Sequence, residues 1–166
     1  MSGGMAVRRN APAGDAVKDP FEVLGSVTRR LESAASARLD AAIRKALETI
    51  TRHVGVDRST VLGFSPDRRT FSVTHEWCAP GITPSAAYMV DVPLVTFPWS
   101  SRQLLAGTPL LIHTLADFPP EAAADRQMLV DEGMQSMLAI PMITQGCVIG
   151  ALTLDADRTV TVTQDA

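Results

Sequence analysis

Cysteine is scarce in this sequence. Cys78 and Cys147 are the only two, and neither belongs to a Cys-X-X-Cys pair. Their separation argues against a thiol redox motif or a zinc knuckle, and both are expected to be reduced. Apolar runs are short as well: none approaches the roughly 18 residues needed to cross a bilayer. The stretch from Met1 to Val17 lacks the uninterrupted apolar core of a secretory signal, so the expected location is the cytoplasm, with no membrane partner. Basic charge is not in excess, since 15 Lys and Arg stand against 18 Asp and Glu and are spread along the chain. This is not the electrostatic footprint of a nucleic-acid binder. The three histidines, His53, His75 and His113, form no cluster with cysteine at metal-ligand spacing, and no metal is expected.

What remains is the balance of a soluble globular protein: 166 residues, 46% hydrophobic and 20% charged, enough to bury one core. Residues 1–18 show no apolar period and read as a flexible leader outside the fold. Asp19, Pro20 and Glu22 give a helix start. From there Leu24, Val27, Leu31 and Ala35 continue into Leu39, Ile43, Leu47, Ile50 and Val54 as one apolar stripe. This is one long helix or two, with Ser33 and Ser36 marking the weakest point and Gly55 the end. The period then changes. Residues 58–64 and 70–77 read as a hairpin about Ser65-Pro66-Asp67, with Phe71, Val73, His75 and Trp77 on one face of the second strand.

Four prolines between residues 78 and 98 exclude a helix there and predict a long loop, with a short extended piece over 89–92. A short helix from Pro98 to Ala106, a strand over 109–112 and a helix from Pro119 to Gly133 follow. Residues 136–143 and 147–154, joined by Thr144-Gln145-Gly146, are apolar on both faces and are expected to be central strands covered on both sides. The layout is an α+β fold: a central antiparallel β-sheet of five to six strands, the N-terminal helix on one face, and loops plus short helices on the other. A pocket is expected on that second face.

The order of these elements resembles the GAF domain. So does the wording of Val56-Asp57-Arg58, Thr74-His75-Glu76-Trp77, Phe97-Pro98-Trp99, the stretch 119–125, Leu138-Ala139-Ile140-Pro141-Met142 and the stretch 146–155. The likeness runs over roughly residues 23–158 and is to GAF domains of bacterial sensor histidine kinases and cyclic-di-GMP signalling proteins. It implies a GAF-like domain over 19–158 with a tail over 159–166, a concave sheet face able to hold a small molecule, a homodimer formed through the N-terminal helix, and an output kinase or cyclase domain in a longer protein. Family members usually follow the last strand with a long helix. Here residues 157–162 lack an amphipathic period, and an exposed apolar strip is the expected consequence.

The candidate ligand-pocket residues are His75, Trp77, Tyr88, Met89, Phe97, Trp99 and Arg102. His75 is a possible axial ligand for haem, which some GAF domains bind through histidine; the alternative is a core histidine satisfied by a hydrogen bond. No cofactor is required by any motif, and its identity is unknown. Tyr88, Met89, Phe97 and Trp99 suit a planar or apolar ligand, or serve as core. Arg102 either grips an anion or is solvated. Cys78 is a candidate thiolate, or an inert filler. The settings of both cysteines depart from those of bilin-attaching GAF domains, and the Asn-Lys-Phe-Asp-Glu signature of cyclic-nucleotide GAF domains is absent. No nucleophile, base and orienter stand at readable spacing, so a non-catalytic sensory or regulatory module is the leading reading. The alternatives are a thiol-dependent enzyme resembling free methionine sulfoxide reductase, and a purely structural dimerisation module.

Overall fold

The computed structural model describes residues 20–160, with side chains from residue 33 onward. The leader read over 1–18, the Asp19 cap, the side chains of Leu24, Val27 and Leu31, and residues 161–166 of the tail lie outside that range. The chain divides into two compact units, residues 1–38 and 39–166. The first contributes the opening part of helix α1 (Pro20–Val54), in which residues 33–38 are all exposed. α1 is continuous through Ser33 and Ser36, so the one-helix alternative holds. Small residues lower helix propensity by only tenths of a kcal/mol each, too little to break the hydrogen-bond ladder.

In the second unit six strands form one antiparallel sheet: β1 (Arg58–Phe64), β2 (Thr70–Cys78), β3 (Val92–Pro93), β4 (Leu110–Ile112), β5 (Ser136–Thr144) and β6 (Cys147–Ala156). Their spatial order is β3-β2-β1-β6-β5-β4. The chain end of β6 thus lies beside β1 at the centre. The β5–β6 turn follows from sequence, because Gln145 and Gly146 both take positive φ, 48° and 75°. That pair of angles matches the right-handed twist of the flanking strands. On one face, α1 is anchored by Leu47 and by Thr51, whose hydroxyl meets Ser59 Oγ at 2.6 Å. On the other lie α2 (Pro98–Leu105), α3 (Ala123–Asp131) and the loop over 79–91.

Two expectations need correction. The first concerns β2. In the β1–β2 ladder Val61 pairs with His75 but Leu62 pairs with Val73, so Thr74 is an extra residue, a β-bulge. The bulge reverses the alternation. Phe71 and Val73 face α2 and α3, whereas His75 and Trp77 face α1: His75 Nε2 lies 3.1 Å from Asp40 Oδ1, and the Arg52 guanidinium stands 5.6 Å from the Trp77 ring centroid. The second concerns β5 and β6, which are not covered on both sides. Ile140 is 40% and Ile149 48% exposed, as is much of Leu111 on β4. The layer opposite α2 and α3 does not extend over this end of the sheet, and an apolar strip is left open there.

The core lies between the sheet and α2/α3. Leu104, Leu110, Ile112, Phe118, Leu129, Met134, Met137 and Ala139 are buried together, and Trp99 packs edge-on against Phe118 with centroids 5.8 Å apart. A buried carboxylate ties the two helices: Asp125 on α3 accepts the Ser100 N–H in the first turn of α2 at 2.9 Å, satisfying one of the donors that a helix start leaves open.

Candidate functional site

The alternation of β1 and β6 sends Arg58, Thr60, Leu62, Phe64, Thr153 and Asp155 to the α2/α3 side, where they floor a cavity of about 70 Å³. Met137 and Ala139 of β5 and Phe71 and Val73 of β2 extend the floor. Ser100, Ser101 and Leu104 of α2, Met128 and Leu129 of α3, and Glu132 just beyond it form the roof, and Ser85, Met89, Leu94 and Phe97 close the side. One end is apolar, built on Phe64, Leu104 and Leu110. The other is charged.

At the charged end Arg58 bridges two carboxylates from distant parts of the chain. Its Nε donates to Asp155 Oδ2 at 3.0 Å and its Nη2 to Glu132 Oε2. All three side chains are almost fully buried. Burial outweighs the guanidinium at Asp155 and pushes its carboxyl up to about 6. The Tyr88 hydroxyl donates to Glu132 Oε1 at 3.2 Å, and burial together with the Glu132 charge raises the phenol. Two hydroxyl oxygens on the cavity wall, Thr60 Oγ1 and Ser100 Oγ, are buried with no hydrogen-bond partner.

The loop over 79–91 is held by Glu76 of β2. Its carboxylate accepts the Ser85 N–H at 3.0 Å, the Ser85 hydroxyl at 2.7 Å and the Ala86 N–H at 3.2 Å. Outside this loop an open cleft of about 520 Å³ is lined by Tyr88, Met89, Thr96, Phe97, Ala124, Gln127, Met128, Asp131 and Glu132. Met89, Phe97, Met128 and Glu132 line both spaces and stand where one leads to the other.

The seven sequence candidates therefore separate. Met89 and Phe97 meet at the cavity mouth and Tyr88 lines the cleft. Trp99 packs against the core cluster, and Arg102 is exposed on α2. His75 and Trp77 sit on the opposite face of the sheet, where His75 is engaged by Asp40. The cavity wall carries no histidine, and His75 stands on the far side of the sheet from it. Arg58, Glu132, Asp155, Thr60 and Ser100 were missed. Asp155 left the clearest signal, a carboxylate closing an otherwise apolar strand and placed on its inward parity.

Among the described residues no group of three His, Cys, Asp or Glu side chains is placed to hold a metal ion, and no helix is long and apolar enough to cross a membrane. The two cysteines lie at opposite ends of the sheet. Cys78 pairs with Arg58, which pairs with Asp155 at the end of β6, whereas Cys147 begins β6. Burial and the neighbouring Glu76 charge push the Cys78 thiol up to about 11, which leaves little thiolate at neutral pH. A maleimide at pH 7 is therefore expected to label exposed Cys147 promptly and Cys78 at least about ten-fold more slowly. Mass spectrometry of the time course reads the difference, and equal rates would contradict this picture of Cys78.

Comparison with known proteins bears on the whole arrangement. The profile of the family described as "GAF domain" matches residues 38–166. The chain belongs to the GAF domain family. Solved structures similar to it include a phycocyanobilin-bound GAF domain from a cyanobacterial phytochrome: 22% identity, 90% of this chain and 86% of the other covered, TM-score 0.64. A domain assigned to a two-component sensor histidine kinase protein of Sinorhizobium meliloti 1021 shares 20% identity over 75% and 78%, TM-score 0.56. NreA of Staphylococcus aureus, mutated in its nitrate-binding site, shares 15% over 79% and 96%, TM-score 0.59. At these identities the likeness is one of GAF fold: a curled antiparallel sheet with short helices over one face. No curated protein matches the chain.

Proposed function

We propose that this GAF domain is a non-catalytic sensory module. It binds a small molecule in the cavity between the sheet and α2/α3 and thereby controls an output kinase or cyclase domain in the cytoplasm. The observation that carries the reading is the pair of buried hydroxyls, Thr60 and Ser100, on residues that line the cavity and without hydrogen-bond partners. A buried polar group left unpaired costs about 1–3 kcal/mol, a cost that a bound molecule or water offering hydrogen bonds removes. Two of the similar GAF structures concern ligand sites, one bilin-bound and one named for nitrate binding, which supports the same use of the fold. Exposed Leu39 and Val54 on α1 favour pairing of that helix with a second copy. The placement of the two cysteines gives no support to a thiol-dependent enzyme.

Native mass spectrometry of protein purified from cells, taken with an absorption spectrum, tests the proposal. A non-covalent adduct of defined mass that is lost when Thr60 is replaced by valine is expected. A bare mass from every preparation, with no stabilisation by any member of a metabolite library, would leave only the dimerisation role.

A further inference from the structure

If the cavity is a ligand site, as proposed, its walls and mouth also constrain the chemistry of the ligand. In the inner wall one guanidinium, Arg58, faces two carboxylates, Glu132 and Asp155. The outer cleft adds Asp131, and no Lys, Arg or His lines it. The approach is therefore negative throughout, and the buried end is short of one positive charge. Low-dielectric walls strengthen such an imbalance, because the field is not screened by water. The same cavity is lined by the two residues with unpartnered hydroxyls, only 3% (Thr60) and 8% (Ser100) exposed. Each can accept a hydrogen bond from a ligand N–H. Beyond them the wall turns apolar, at Leu62, Phe71 and Leu104.

We infer that the ligand is a small organic cation with N–H donors, of the alkylguanidinium or alkylammonium class. Its head lies against Glu132 beside the cavity mouth, its N–H groups donate to Thr60 and Ser100, and its alkyl part enters the apolar end. Size agrees with a short chain. The cavity holds about 70 Å³, about half the roughly 150 Å³ apolar cavity known to hold benzene, so it takes a short alkyl tail of about three or four carbons while the head group stays at the mouth, against the cleft. An anion of the same length meets two carboxylates and only one guanidinium, already doubly engaged. A neutral alcohol leaves the charge imbalance in place.

The test is a titration of the full chain, isotope-labelled for NMR, with four probes of one length: n-butylguanidinium, n-butylammonium, n-butanol and butyrate. The two cations are expected to shift the Thr60 and Ser100 signals and to bind at least about ten-fold more tightly than butanol, with butyrate weakest. Glu132→Gln should remove most of that preference. Because Glu132 is buried against Arg58, the exposed variant Asp131→Asn serves as a second check, and a loss of a few-fold in cation affinity, diminishing with added salt, is expected of it. Butanol or butyrate binding at Thr60 and Ser100 as tightly as the cations would overturn the inference and leave the cavity as a ligand site. If none of the four moves those signals, the cation class falls, and the ligand-binding reading is then decided separately by the native mass and the metabolite library.

Discussion

Replacing Arg58 with methionine is expected to cost the fold roughly 3–5 kcal/mol, the range seen when one partner of a buried ion pair is removed. The loss comes from what stays behind. Glu132 and Asp155, both nearly inaccessible to water, would face each other without the guanidinium that bridges them. Since domains of this size are commonly stable by only about 5–15 kcal/mol, urea unfolding should show a large fall in unfolding free energy; a fall under about 1 kcal/mol would mean that the trio is hydrated or mobile. The same cluster sets a pH dependence. Asp155 titrates at about 6 in the folded chain, above the ordinary value of 3.8, so the folded state holds its proton more tightly than the unfolded state. Its contribution is fully present below about pH 4 and is lost as pH rises through 6. Asp57 pulls the other way: burial there is outweighed by hydrogen bonds from the Arg158 side chain and the Asp157 N–H, and its carboxyl is held low. Asp155→Asn should therefore be compared with the parent across pH 4 to 7, where the difference between the two curves isolates Asp155.

A single added methyl group at Gly150 is expected to be nearly as damaging. A Cβ there would lie 2.0 Å from the Leu62 carbonyl oxygen and 2.9 Å from Met142 Cε. The methionine end can swing aside. The carbonyl cannot, because Leu62 is laddered to β2 on one side and β6 on the other. Gly150→Ala should thus reach or exceed the upper end of the roughly 1–3 kcal/mol typical of overpacking. Gly63→Ala is the matched control, since its Cβ would meet only the Thr74 Cγ2 methyl, at 2.9 Å. Thermal unfolding of the two variants decides the matter, and equal midpoints would mean that the strands part easily at this point.

Much of the scaffold was legible because periodicity and turn residues are local. The period-2 run after Gly55 and the Gln145-Gly146 turn located β1, β2 and the last hairpin to within two residues, whereas the loop read over 78–98 ends earlier, at β3 and a 3-10 turn over Leu94–Thr96. Two kinds of information were not local. The bulge at Thr74 is one inserted residue with no compositional mark, yet it moved His75 and Trp77 to the other layer. The Arg58–Glu132–Asp155 trio joins β1, the end of α3 and β6, and no spacing rule relates residues that meet only after the sheet closes. Met89 and Phe97 reach the cavity mouth for a simpler reason: a long Pro-rich loop lies on the surface, and these two side chains turn inward from it while Val90 and Val95 stay exposed. The open side chains of Ile140 and Ile149 show the converse limit, since apolarity on both faces was read as burial while the covering layer stops short.

The inserted residue in β2 also makes one strand serve two masters. Before Thr74 its side chains belong to the cavity wall; just after it they grip α1 through Asp40 and Arg52. Two peptide units therefore separate Val73 on the cavity wall from His75 against α1. The Thr74 hydroxyl, donating to the Val61 carbonyl at 3.1 Å, fastens the inserted residue between those two halves.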